Sequence, residues 1–136
     1  MNRPTVIVDL INNKLTDDCF TLEVVEPNIT WNISRIRRDA ESGKFGPPGI
    51  FDMRGVPAPN YECGNLDLRK IEAFKTKPAI LAIPVIGIGD PRGGVLCIAD
   101  GQHRLTSRWE LALPDFSMYI VPHEIEKKYR LLEVLP

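Results

Sequence analysis

Five consecutive residues, Asp100, Gly101, Gln102, His103 and Arg104, gather a carboxylate, an imidazole and a guanidinium around a single glycine. The apolar run before them and the spacing of Leu105, Trp109 and Ala112 after them place the group between a strand and a helix. Gly101 permits the sharp turn. The first amides of such a helix have no partners inside it and lie at the positive end of its dipole, so an anion placed there gains from both. Arg104 offers a planar fork matched to phosphate oxygens, and Arg108 follows one turn later. His103 can donate to a phosphate or move a proton near neutral pH. Asp100 can hold Mg²⁺ against phosphate oxygens, orient His103, or cap the helix. The candidate phosphate contacts are therefore Gly101, Gln102, His103, Arg104, Thr106 and Arg108, with Asp100 and His103 as candidate catalytic groups and Asp100 as the candidate metal ligand.

A second cluster is Trp31, Arg35, Arg37 and Arg38. Arg35 and Arg38, three apart on a helix, can reach a nucleotide tail or DNA phosphates; a solvated face partnered by Asp39 and Glu41 is the plainer reading. Trp31 reads as a core anchor. The glycine-rich run at 87–94 lacks the Lys-Ser/Thr of a phosphate-binding loop and reads as a hairpin turn. His123 and Glu124 mark a helix start, because two histidines twenty residues apart give no ligand pattern.

The elements that must position these groups can be read in order. Residues 4–11 and 20–25 have strand character, the second closed by Pro27. Thr30 is a suitable cap for a helix running to Glu41, with Ile29, Ile33, Ile36 and Ala40 at helical spacing. Prolines and glycines break 42–64 into a surface excursion, of a length more often functional than decorative. Asn65 can cap a second helix, on which Leu68, Ile71 and Phe74 form an apolar stripe before Pro78. Residues 79–88 form an apolar run suited to a buried strand with Pro84 at an edge or bulge. Strands at 95–99 and 116–121 and an amphipathic helix at 123–133 complete the chain.

With 136 residues, 43% of them hydrophobic and 26% charged, the chain fits one domain spanning 1–136, with the excursion at 43–64 as its irregular part. A net charge of −1 provides no overall basic footprint for nucleic acid. Charge is nonetheless uneven: residues 1–26 hold two basic and five acidic side chains, while 27–50 hold four basic and two acidic. Cys19, Cys63 and Cys97 are widely spaced and odd in number, as expected of reduced thiols in a cytoplasmic protein. No apolar run approaches the length of a membrane span and no signal segment opens the chain, so no membrane partner is expected.

Residues 78–121 resemble the second half of the ParB/sulfiredoxin superfamily core, and the resemblance extends upstream through the helix at 66–75. The corresponding turn is G-E-R-R in ParB-type CTPases, G-C-H-R in sulfiredoxins and D-G-H-H-R in ParB-like serine kinases. Asp100–Arg104 also resembles the DGQHR proteins associated with DNA modification. The resemblance implies an α/β fold with a small mixed sheet and flanking helices. It also implies nucleotide binding, ATP or CTP with Mg²⁺, through Gly101, His103 and Arg104, coupled to hydrolysis or phosphoryl transfer. Gln102 stands where sulfiredoxins carry their reactive cysteine, so reductase chemistry is not expected. A centromere-binding region after the turn is not expected. A kinase would need a carboxylate base, for which Glu23, Glu26 and Glu41 are candidates. The alternatives are a DNA-binding protein or small nuclease, using the turn and the Arg35–Arg38 face, and an inactive interaction module using the 43–64 excursion.

Overall fold

The computed structural model describes residues 6–9, 14–15, 19–22, 29–63 and 66–134. The strands are β1 (Val6–Asp9), β2 (Lys14–Leu15), β3 (Cys19–Leu22), β4 (Ile29–Asn32), β5 (Gly49–Asp52), β6 (Val85–Gly89), β7 (Val95–Asp100), β8 (Asp115–Val121) and β9 (Leu132–Val134). The helices are α1 (Ile33–Glu41), α2 (Leu68–Phe74), α3 (Pro78–Leu81) and α4 (Gln102–Glu110). A mixed four-stranded sheet in the order β5-β8-β6-β7 forms the body, with helices flanking it. The α/β expectation of a small mixed sheet holds. Strand β6 runs parallel to β8 and antiparallel to β7. Two smaller sheets, β2-β1-β9 and β3-β4, complete the described strands.

The sheet separates two apolar layers because successive strand residues point to opposite faces. On one face Ile86, Ile88, Ala99 and Val121 pack against Ile33 and Ile36 of α1, with Trp31 and Tyr129. On the other, Val85, Phe116 and Met118 meet Leu105 of α4 and Met53. Gly87 keeps this second layer tight: a Cβ there would lie 2.8 Å from Met118 Sδ and 3.0 Å from Val95 Cγ1.

Several elements depart from the local sequence pattern. Ile29 and Thr30 belong to β4, and the α1 cap is Asn32, whose Oδ1 accepts the Arg35 N–H at 3.1 Å. Pairing of β4 with β3 claims these residues before the helix begins. Asp67 caps α2, its Oδ1 accepting from Arg69 N at 3.0 Å and Lys70 N at 3.3 Å; Asn65 lies outside the described residues. Pro78 occupies the first turn of α3, where its fixed φ and missing N–H are harmless. The expected strand at 79–88 is therefore divided into a helical turn and β6, with Pro84 between them. The hairpin at 89–94 forms as expected, closed by Gly93 N–H to Asp90 O at 2.9 Å.

The proline-rich excursion is more ordered than its composition implies. Strand β5 pairs with β8, setting Phe51 opposite Phe116 with ring centroids 5.8 Å apart. As an edge strand it tolerates neighbouring prolines. No α-helix forms at 123–133. A 3-10 turn at Glu126–Tyr129 leads into β9, which pairs with β1. Burial of Glu126 and Tyr129 and the bond from Leu131 N–H to Thr30 O at 2.8 Å override the amphipathic pattern. The expected strands at 4–11 and 20–25 contain β1 and overlap β3, and the flanking positions, Glu23, Glu26 and Pro27 among them, lie outside the described residues.

Glu126 ties the C-terminal segment to the core. It accepts from Trp31 Nε1 at 2.7 Å and from Arg130 Nε at 2.9 Å, with a second Arg130 contact through Nη2. Burial alone would raise its pKa, but the bonds from Arg130 and Trp31 prevail and hold it below the usual value. A carboxylate depressed in the fold stabilises it above the unfolded pKa, and that contribution disappears as pH falls through the folded value. Unfolding midpoints measured from pH 7 to pH 3 should therefore fall less steeply below about pH 4.3 in Glu126→Gln than in the parent. An unchanged acid limb would rule the tie out.

Candidate functional site

Asp100 ends β7, Gly101 turns the chain, and Gln102 begins α4. Gly101 adopts φ +98° and ψ 18°, in the left-handed region. A Cβ at this position would lie 2.6 Å from Val85 Cγ1 and 2.8 Å from Arg104 Nη2. The first α4 amide to bond backwards is Leu105 N–H, to Gly101 O at 2.9 Å. The amides of Gln102, His103 and Arg104 precede it and have no partner within the helix.

Around this turn the structure assembles two guanidinium groups and one carboxylate. Arg37 Nη2 lies 2.6 Å from Asp100 Oδ2, and Arg104 Nη2 lies 3.9 Å from the same oxygen. Both arginines also donate to Pro84 O, Arg37 from Nη1 at 3.0 Å and Arg104 from Nη2 at 3.2 Å. The Arg104 side chain is only 14% exposed, and its Nε is buried without a hydrogen-bond partner. Burial, first, disfavours its charged form, opposed by Asp100 and reinforced by Arg37; an arginine nevertheless keeps its proton. The cluster thus carries one positive charge more than its carboxylate neutralises, beside the positive end of a helix.

His103 is turned to a different task. Its Nε2 accepts the Asp67 N–H at 2.9 Å, fastening the start of α2 to α4. Burial, and then the nearby Lys70 charge, lower its pKa against the opposing influence of Asp67. The imidazole is therefore neutral at pH 7, and the bond at Nε2 assigns its proton to Nδ1. Neither the capping nor the His103-orienting role considered for Asp100 is realised: Gly101 is the α4 cap position, and the Asp100 carboxylate is engaged with the arginines.

The remaining sequence candidates divide clearly. Gln102 Nε2 donates to Ile98 O at 3.1 Å, and Thr106 Oγ1 donates to Gln102 O at 2.8 Å. Arg108 is a brace, with Nε donating to Asp115 O at 2.7 Å and Nη1 to Leu81 O at 3.1 Å. Arg35 does not join Arg38 in an open cationic face: its guanidinium lies 5.1 Å from the Tyr129 ring centroid, and Nη1 donates to Lys128 O at 2.8 Å. Arg38 is exposed on another side of α1. Arg37 is the residue that the reading of this cluster passed over. The helical pattern held the signal, since Arg37 lies four residues after buried Ile33 and borders the apolar stripe, whereas Arg38 points away from it.

Asp100 is poorly suited to bind Mg²⁺ directly, because a divalent cation would compete with two guanidinium groups for one carboxylate. Among the described residues there is no group of three or more His, Cys, Asp or Glu side chains arranged for a metal. Burial, followed by the charge of Glu126, pushes the Cys97 thiol up to about 11, which disfavours the thiolate that a nucleophile needs.

Two apolar clefts flank the other side of α4. One, of about 350 Å³, lies between residues 56–60 and a wall that includes Gln102, Leu105, Thr106 and Trp109. The second, of about 550 Å³, continues from Val56 and Pro57 across Phe51, Val95, Ile98 and Met118. Gln102 thus links the start of α4 to the first cleft.

Among the described residues, no helix is long and apolar enough to cross a membrane. Comparison with protein-family models, curated proteins and solved structures finds no match for this chain.

Proposed function

We propose that this chain is a ParB/sulfiredoxin-like nucleotide-binding protein that receives the phosphates of ATP or CTP at the Gly101–Arg104 turn. The observation carrying this reading is the half-buried Arg37–Asp100–Arg104 cluster, with its surplus positive charge and unpartnered Arg104 Nε, set against the open end of α4. A phosphate would neutralise the surplus and accept from the amides of Gln102, His103 and Arg104. Asp100 acts as an orienting group that keeps both guanidiniums aimed at the turn. Neutral His103 contributes a donor at Nδ1. Mg²⁺, where used, arrives with the nucleotide phosphates.

The reading is one of binding. Asp100 is ion-paired and His103 Nε2 is occupied, so these groups support no proton-abstraction step for hydrolysis or phosphoryl transfer. The DNA reading has less support because Arg35 is folded onto Tyr129.

Calorimetry with ATP, CTP and GTP, with and without Mg²⁺, tests the proposal on the parent, Arg104→Ala and Arg38→Ala proteins. A charge-assisted contact contributes about 1.5–3 kcal/mol, so Arg104→Ala should weaken binding by about ten- to a hundredfold. Arg38→Ala should leave the affinity unchanged. A folded parent that binds no nucleotide, or an Arg104→Ala protein that binds as tightly, would overturn the assignment. Steeply salt-dependent DNA binding lost in Arg38→Ala would instead favour the duplex.

A further inference from the structure

Gln102 serves two surroundings at once. Its backbone N–H is one of the open amides at the start of α4, while its side chain lines the cleft of about 350 Å³. The walls of this cleft are mainly apolar, with Pro57 and Pro59 facing Leu105 and Trp109. Such a space suits a small planar ligand, since ligand pockets run from about 300 to 1,000 Å³ and hold few, well-placed polar groups.

The polar groups on the wall have fixed directions. Gln102 Nε2 donates to Ile98 O at 3.1 Å, and Ile98 lines the same cleft. A carbonyl only accepts, so the nitrogen end of the amide must face Ile98. Oε1 then receives no hydrogen bond from the described residues, and one amide hydrogen is also left over. Turning the amide over would break the bond and set two oxygens face to face. Thr106, 7% exposed, commits its hydroxyl proton to Gln102 O at 2.8 Å and retains only an acceptor.

We propose that this cleft receives the base of the nucleotide, and that Gln102 selects a base with an exocyclic amine. The inference rests on the reading that nucleotide phosphates occupy the Gly101–Arg104 turn. An amine beside a ring nitrogen presents a donor next to an acceptor, the complement of the amide's oxygen and remaining hydrogen. Adenine and cytosine have that edge. In hypoxanthine and uracil a carbonyl replaces the amine and would meet Oε1 oxygen to oxygen. Thr106 Oγ1 adds a second acceptor and no donor for the keto base. Gln102 thus holds the base through its side chain and the phosphates through its backbone.

Exchanging the amine for a carbonyl tests this on the full chain. ATP is compared with inosine triphosphate and CTP with uridine triphosphate, with inorganic triphosphate as the phosphate-only probe. One amino nucleotide or both should bind the parent about tenfold more tightly than the keto counterpart, through one lost and one unsatisfied hydrogen bond. The two pairs separate adenine from cytosine as the occupant. Gln102→Met keeps the backbone amide and the side-chain length; it should abolish the preference and leave triphosphate binding unchanged. Adenosine or cytidine, without phosphates, should quench Trp109, which is 40% exposed on the cleft wall, and the change should vanish in Trp109→Phe. Equal affinity for amino and keto nucleotides that still depends on Arg104 would overturn the base site and leave the phosphate site standing. A nucleoside that quenches Trp109 and gains nothing from added phosphates would support the base site and overturn the phosphate site. Loss of triphosphate binding in Gln102→Met would overturn the base role, because the side chain would then support the turn itself. A parent that binds neither nucleotide nor nucleoside would overturn both.

Discussion

Gly101→Ala is expected to destabilise the protein by about 2–4 kcal/mol, combining the strain of an alanine at positive φ with overpacking of a filled site. At φ +98° an added Cβ would lie 2.6 Å from Val85 Cγ1 and 2.9 Å from Val85 Cβ. Val85 cannot retreat easily, because it is 2% exposed and its strand is bonded on both sides. Arg104 Nη2, at 2.8 Å, is the flexible neighbour, and its displacement would disturb the contact with Pro84 O. Two measurements separate the consequences. Urea denaturation should show a lower midpoint, and nucleotide binding by the remaining folded protein should weaken because Arg104 has moved. A variant as stable as the parent would mean that the turn relaxes into another conformation.

Trp31→Ala should have an effect at least as large. Trp31 is 0% exposed within the layer formed by Ile33, Ile36, Ile88 and Tyr129. Truncating a buried aromatic side chain costs about 3–5 kcal/mol through lost transfer energy and the cavity left behind. Glu126 would also lose its Trp31 donor while remaining buried, and an impaired buried charge adds to the penalty. Against the ~5–15 kcal/mol that holds a typical domain together, this is a large fraction of the total, and the variant should melt at a markedly lower temperature than the parent, as read by circular dichroism. Trp31→Phe restores much of the volume but not the N–H, so the difference between the two variants reports the packing. A loss below about 2 kcal/mol for Trp31→Ala would mean that this layer repacks.

The sequence was most informative where local chemistry and tertiary demand agree. The apolar strand, Gly101 and the Leu105–Trp109 spacing announce a strand–turn–helix, and β7 and α4 form it. Asp90–Gly94 carries its own turn residues and closes a hairpin. Failures occur where distant pairing decides. Residues 123–133 have an amphipathic helical pattern, but β1, far away in sequence, recruits the end of that stretch into β9. Strand β5 is similarly created by β8 despite the surrounding prolines and glycines. At the candidate site, Asp100 and Arg104 could be selected locally. Arg37 comes from 63 positions before Asp100, and only the packing of α1 against the sheet brings it there. His103 illustrates the reverse: its identity suggested proton transfer, whereas its Nε2 is occupied by a backbone amide of α2.

The outer strands of the four-stranded sheet also bear on how copies of the chain meet one another. An exposed strand edge offers unpaired backbone groups to any neighbouring chain and invites intermolecular sheet growth. Here β7 is a poor template, because its pairing with β6 has register irregularities between Ile86 and Gly87 and between Ile88 and Gly89. Such offsets bend and twist a strand away from regular pairing. At the opposite edge, β5 spans only Gly49–Asp52 and follows Pro47 and Pro48. Although Ile50 is 71% exposed, a second chain could extend only a short ladder there before meeting the prolines and the charged Asp52–Arg54 pair. The short, proline-flanked β5 and the irregular β7 therefore both leave little regular edge on which a second chain could pair.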